Sequence, residues 1–170
     1  IKELVYVNQE ARHGLWNYIS AHFSMIEKVV GNNYTNEPMA FLLEDSEIQE
    51  EIEPYIMARI VDFEEFIRQY PFDIISIHDD LHFIIDDPIM ECNCGDFSLR
   101  WDAAGNTILE RGGTRGETVR CDIQTLTAMF YGYKRPTYLK RVERLQANDT
   151  AVRILEDIIP IEQPYFSDYF

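Results

Sequence analysis

Apolar positions along this chain follow two periods, and the places where the period changes mark its organisation. "IKELVYV" (residues 1–7) is rich in β-formers, and Asn8 after it is placed to cap a helix. Ala11, Leu15, Trp16, Ile19, Phe23 and Ile26 then recur at three- and four-residue spacing. That spacing predicts an amphipathic helix through "QEARHGLWNYISAHFSM", with Trp16, Leu15 and Ile19 on its core side. "IEKVVG" (26–31) and "PMAFLLED" (38–45) read as further strands. "SEIQEEIEP" (46–54) is acidic and closed by Pro54, which makes it a solvated boundary segment.

Beyond it, "YIMARIVD" (55–62) is apolar and partly alternating. "FEEFIRQYP" (63–71) follows, with Phe63, Phe66 and Ile67 on one helical face and Pro71 as the stop. Alternation then takes over in "FDIISIHDDLHFIIDD", "CGDFSLRWDAAGNTILERG" and "TRGETVRCDI", read as strands joined by turns, with Ala104-Gly105-Asn106 the best hairpin candidate. Three helices close the chain. Asp122 caps "DIQTLTAMFYG", with Leu126, Met129 and Phe130 on one face and Gly132 at its end. "PTYLKRVERLQ" carries Tyr138, Leu139, Val142 and Leu145 at helical spacing, and "DTAVRILEDII" forms the last helix. The order predicts an α+β fold: strands and a helix to residue 54, then a mostly antiparallel sheet packed by helices from 55 to 170.

Charge narrows the partners. Fifteen Lys and Arg against thirty Asp and Glu leave a formal net charge of −15. Duplex nucleic acid would be repelled by such a surface; cationic amines are compatible with it, and most of these charges read as a solubilising acidic surface. No apolar run approaches the roughly 20 residues that span a bilayer, and no basic leader precedes an apolar stretch, so neither a membrane nor export is expected. Cys92, Cys94 and Cys121 are an odd set and read as reduced thiols of a cytoplasmic protein. The chain opens on Ile in strand-like sequence, as the later part of something longer would.

Two motifs invite a metal or a phosphate. "HDDLH" sets His78 and His82 four apart, a zinc spacing on a helix. Its flanks are strand-like, and four residues along a strand span roughly 13 Å at about 3.3 Å each, too far for one ion. No metal is therefore expected. "RGGTRG" (111–116) lies between two predicted strands and opens no helix, so it reads as a flexible hairpin rather than an anion cradle.

The closing "LEDIIPIEQPYFSDYF" is extended, punctuated by proline, and ends in four rings within six residues. Such a payload is read as docked. It is either a clasp on its own domain, the simpler reading from composition, or a strap that presents its α-carboxylate in a neighbouring cleft.

Four stretches taken together resemble the C-terminal region of Eis-type acetyltransferases of the GNAT superfamily: "MARIVDFEEFIRQYPF" (57–72), "GDFSLRWD" (95–102), "CDIQTLTAMFYGY" (121–133) and "PYFSDYF" (164–170). The resemblance implies that residues 1–54 end a second GNAT-like domain that binds no cofactor. It implies that 55–170 are a domain like sterol carrier protein. It further implies a parent enzyme that acetylates amines of aminoglycoside or lysine type, uses acetyl-CoA and assembles as a hexamer.

By the same resemblance the terminal carboxylate of Phe170 is the general base. Ring burial by Tyr169 and its neighbours and repulsion by Asp168 would raise that carboxyl from its ordinary value of about 3.5. Asp168 and Tyr169 would face the ammonium of the acceptor. The R/Q-x-x-G-x-G/A cofactor loop and the general acid have no counterpart here, so this chain alone is expected to be inactive and to bind no cofactor. The alternative is a carrier module that holds a lipid or another apolar ligand between sheet and helices.

Overall fold

The computed structural model describes residues 1–33, 39–43, 47–73, 79–164 and 166. The chain divides into two units, Ile1–Pro54 and Tyr55–Phe170.

In the first unit, helix α1 (Gln9–Ser20) starts where Asn8 takes an extended φ of −160° and its Oδ1 accepts from the Ala11 amide at 2.8 Å. The helix stops before Phe23 and Ile26, which the spacing had placed on it. His22 and Phe23 donate three residues back, to Ile19 and Ser20, and that tightening ends the α-helical turn. The strands expected at 1–7 and 26–31 do not form among the described residues. Between the two stretches the Ile1 amine donates to the Val30 carbonyl at 2.6 Å. β-rich sequence describes a side-chain surface, and a ladder needs partner backbone as well. Met39–Leu42, also expected as strand, is a helical turn, α2; Met, Ala and Leu are good helix formers. No described residue of this unit is buried, Trp16 included.

The second unit is built on a five-stranded sheet. Its strands are β1 (Leu81–Asp86), β2 (Gly95–Trp101), β3 (Thr107–Arg111), β4 (Glu117–Asp122) and β5 (Gln146–Ala147), in the order β3-β2-β1-β4-β5. β2 pairs antiparallel with β1 and β3, and β5 with β4, but β1 and β4 are parallel. Leu81, Phe83 and Ile85 share a face with Phe97, Leu99 and Val119, following the register Phe83↔Phe97 and Phe83↔Val119. The core on that face is completed by helices α3 (Phe63–Gln69), α4 (Ile123–Phe130), α5 (Pro136–Arg141) and α6 (Asp149–Ile158), through Phe63, Ile67, Leu126, Met129, Leu139, Leu155 and Ile158. Asp62, Asp122 and Asn148 cap α3, α4 and α6 through their side-chain oxygens. The fold is α+β.

The Gly-rich stretch at 111–116 is not a hairpin. β3 lies at one edge of the sheet, and the stretch carries the chain past β2 and β1 to reach β4. It runs so close that a Cβ on Gly113 would sit 2.6 Å from the Ser98 Cβ, and one on Gly116, at φ +109°, would collide with the Asp80 carbonyl. Ser98 Oγ donates to Arg115 O at 2.6 Å and locks the crossing. The helix expected through Leu145 stops at Arg141. Glu143 turns at φ +61°, the Arg144 and Leu145 amides fold back onto Leu139 O, and Gln146–Ala147 is freed to pair as β5.

Asp87, just past β1, has a fully buried side chain. One Arg59 nitrogen reaches its two oxygens at 2.6 and 2.7 Å, the Ile89 and Met90 amides donate at 3.0 and 3.1 Å, and Asn93 Nδ2 donates at 2.9 Å. Asn93 also accepts from the Phe63 amide at 2.9 Å and donates to Val61 O at 3.1 Å. Burial pushes the Asp87 carboxyl upward, but the donors of Asn93, Ile89, Met90 and Arg59 outweigh it and hold the group well below the carboxylate range.

A lowered carboxyl contributes stability that is complete above its unfolded value near 3.9 and is lost as pH falls toward the folded one. Asp87→Asn should therefore destabilise the protein by about 3 kcal/mol at neutral pH in denaturant titrations. The gap from the parent should narrow below about pH 4. A constant gap from pH 7 to 3 would show that the charge contributes nothing.

Candidate functional site

The C-terminal segment leaves α6 at Ile158, and one residue governs its departure. Arg135 precedes Pro136, which starts α5, so its backbone is extended and its side chain reaches α6. Its Nε donates to Glu156 Oε2 at 2.7 Å and Nη2 to the Glu156 carbonyl at 2.7 Å. Nη1 bridges the carbonyls of Ile159 and Pro160, both at 2.9 Å. The second Glu156 oxygen accepts from the Thr137 amide at 2.8 Å. Burial pushes the Glu156 carboxyl up, yet the bonds from Thr137 and Arg135 leave it below its ordinary value.

Further on, the segment crosses the end of α4. Gly132 takes φ +72°, and a Cβ there would collide with the Glu162 carbonyl. The Phe166 ring lies 6.3 Å from that of Tyr55. Beside this path, Tyr70 donates its hydroxyl to Phe130 O at 2.8 Å, inside a cluster of Phe66, Phe72 and Phe130 rings. An open groove of about 420 Å³ runs over Ile60, Val61, Phe66, Tyr70 and Tyr131, with Arg59 and Glu65 at its margin. A larger concavity, about 510 Å³, lies over Ile84, Asp86, Arg120 and Gln146. Among the described residues neither is lined by the C-terminal segment, and Asp122 and Arg144 of the larger one already pair at 2.9 Å.

Phe170, Asp168 and Tyr169, the site residues expected from sequence, lie outside the described residues, as does His78. His82 sits on β1 with Nε2 2.7 Å from Asp96 Oδ1. Among the described residues no group of three His, Cys, Asp or Glu is placed to hold a metal. Cys94 Sγ donates to Asp87 O at 3.1 Å, and Cys121 is buried, with its thiol pushed far up by that burial. In the crossing at 112–116, the Gly112 and Gly113 amides bond Asp96 O and Glu110 O, so they are not free for a phosphate. Between sheet and helices the space is filled by aliphatic side chains and rings: Phe63 lies 5.1 Å from Phe97 and 5.8 Å from Phe83. The contacts of Arg135 with Glu156, Ile159 and Pro160 were not legible in the sequence. The available signal was an arginine directly before a helix-starting proline, with an acidic residue on the next helix.

Residues 63–167 match the sterol carrier protein domain family, and the chain belongs to that family. Residues 1–60 match the acetyltransferase (GNAT) domain. Among solved structures, a probable N-acyltransferase from Enterococcus faecalis V583 is 28% identical and superposes on 99% of this chain with a TM-score of 0.83. A GCN5-related N-acetyltransferase from Anabaena variabilis is 26% identical over 98% of the chain, with a TM-score of 0.71. Eis1 from Mycobacterium abscessus, 18% identical over 99% with a TM-score of 0.67, shares the fold. This chain spans 42% of the length of each of the three. No curated protein matches it.

Burial raises Tyr70 to about 12, Glu162 and Asp73 push the same way, and Arg135 opposes them. A phenol raised in the folded state contributes stability that is complete below its unfolded value of about 10 and lost as pH rises toward 12. One tyrosine should thus ionise late in an ultraviolet titration, and Tyr70→Phe should remove that late step. If every tyrosine ionises near pH 10, the Tyr70 environment is wrong.

Proposed function

We propose that this chain is the C-terminal part of a GNAT N-acetyltransferase of Eis type, cytoplasmic and homo-oligomeric, that acetylates amines of small molecules or lysine side chains. What carries the reading is the near-complete superposition on the probable N-acyltransferase together with the acetyltransferase match over residues 1–60. In this reading residues 1–54 close a GNAT-like domain, and 55–170 form the sterol-carrier-like domain, which supplies scaffold and a wall of the substrate cleft.

Acetyl-CoA supplies the acetyl group in such an enzyme. The Gly-rich crossing does not fit it, because its first amides are bonded and its space is filled by Ser98 and Asp80. The cofactor is held by another part of the parent, and this chain alone is inactive.

The contribution of this chain to the chemistry is a base. The Phe170 carboxylate accepts a proton from the acceptor ammonium and frees the nitrogen lone pair for acyl transfer. Asp168 and Tyr169 hold that ammonium by charge and ring contact. A lipid-carrier function is the weaker reading, because the layer between sheet and helices is packed with aromatic rings.

Two experiments test the proposal. Limited proteolysis should cut near Glu47–Glu53 and leave a stable product from about residue 55; early cuts within 80–130 would defeat the domain assignment. In the full-length parent, deleting Phe170 or appending residues after it should lower kcat by about a hundredfold to ten-thousandfold with the fold intact. Near-normal turnover would leave the segment as a clasp and nothing more.

A further inference from the structure

We infer that the apolar side of α1, with the strand-like stretches on either side of it, is a docking surface. Its occupant is a sheet in the preceding part of the parent polypeptide, and the first unit holds its fold only against that sheet. The inference rests on the reading of residues 1–54 as the end of a GNAT-like domain. It adds which face is covered and what covers it.

The two units differ in what they bury. Among the described residues every buried apolar side chain lies at Ile60 or beyond, and none lies in Ile1–Pro54. The first unit does not lack apolar residues. Ala11, Leu15, Trp16 and Ile19 form a stripe along α1 at three- and four-residue spacing, and all four are only half-buried. Just before the helix Val5 is 71% and Val7 91% exposed; just after it Phe23 is 79% and Met25 76% exposed. Apolar residues scattered over a surface need no explanation. These are the core side of a helix and its two flanks, in a unit with nothing buried. Such a stripe stabilises only when it is packed against another element. A helix of 12 residues is marginal in water by itself.

Backbone chemistry selects the occupant. Residues 1–7 and 26–31 have the composition of strands, and the Ile1 amine reaches Val30 O at 2.6 Å, yet neither stretch is a strand among the described residues. Two neighbouring stretches are too few for a stable sheet, which takes three strands or more. The covering element must offer an apolar face to α1 and open N–H and C=O groups to these stretches. A sheet has both, and a helix has spent its backbone groups on itself. The chain superposes over 99% of its length on the probable N-acyltransferase and spans 42% of it, so the remainder of such a protein is there to supply that sheet.

Hydrogen exchange read by mass spectrometry tests this in the chain by itself and in the full-length parent. In the chain by itself, the amides of α1 should exchange close to the rate of unstructured peptide, while those of β1, β2 and β4 stay protected. In the parent the same α1 amides should slow by about a hundredfold or more. Trp16→Asp should abolish that gain in the parent without touching the protection of β1, β2 and β4. The same substitution should leave the melting temperature of the chain by itself unchanged.

Equal protection of α1 in the two proteins overturns the inference, whether high or low, and so does a Trp16→Asp parent that keeps the gain. Protection in the chain by itself that rises with protein concentration also overturns it, because a second copy is then the occupant. Acetyl transfer by the parent is read separately. An active parent without the α1 gain defeats the docking alone; the gain in a parent without acetyl transfer leaves the docking and defeats the reading of its activity.

Discussion

A buried carboxylate with no solvent contact must be met by donors, and meeting Asp87 organises much of the second unit. Its donors come from three stretches: the Arg59 guanidinium, the Ile89 and Met90 amides, and Asn93. Asn93 in turn binds the backbone on both sides of Asp62, the α3 cap. The segment entering α3 is therefore fastened to the end of β1, and Phe63 and Ile67 drop onto the sheet. Phe66 on the same helix then stands beside Tyr70, Phe130 and Tyr131, next to the path of the C-terminal segment. A polar centre thus sets the geometry of an apolar one.

The same economy recurs with the other cations. Arg111 bonds Glu64 and Cys92 O, and its guanidinium lies 5.3 Å from the centre of the Phe97 ring. Arg144 pairs with Asp122 at the start of α4, and Arg135 with Glu156. In a chain with a net charge of −15, several of its few cations are spent inside the fold as multidentate ties. The field at the surface is set by the carboxylates that remain.

What the sequence made legible follows from range. α1, α3, α4 and α6 could be read because a cap and a helical period lie within a few residues of one another, as with Asp122 and Leu126 or Asn8 and Ala11. The turn at 102–106 could be read for the same reason: Asp102 Oδ1 accepts from Ala104 and Asn106 amides within its own loop. Several of the errors needed distant partners. Residues 1–7 and 26–31 have strand composition but no ladder. "RGGTRG" resembled a hairpin because nothing local reveals that β4 belongs beside β1. β5 is two residues long and exists because Glu143 turns the chain. Arg135 was missed for the same reason: its acceptors are Glu156, Ile159 and Pro160, a helix away. Phe170, Asp168 and Tyr169 were reached by resemblance and lie outside the described residues.

The parallel pairing of β1 with β4 also bears on assembly. β1 is central in the finished sheet, yet its second neighbour arrives only after the β2–β3 hairpin and the Gly-rich crossing are complete. Until then "LHFIID", apolar at alternate positions, is an open sheet edge with unpaired backbone groups, the kind of surface through which chains join one another. Gly113 and Gly116 keep the closing route open, since a side chain at either would collide with Ser98 or Asp80 on the way to β4.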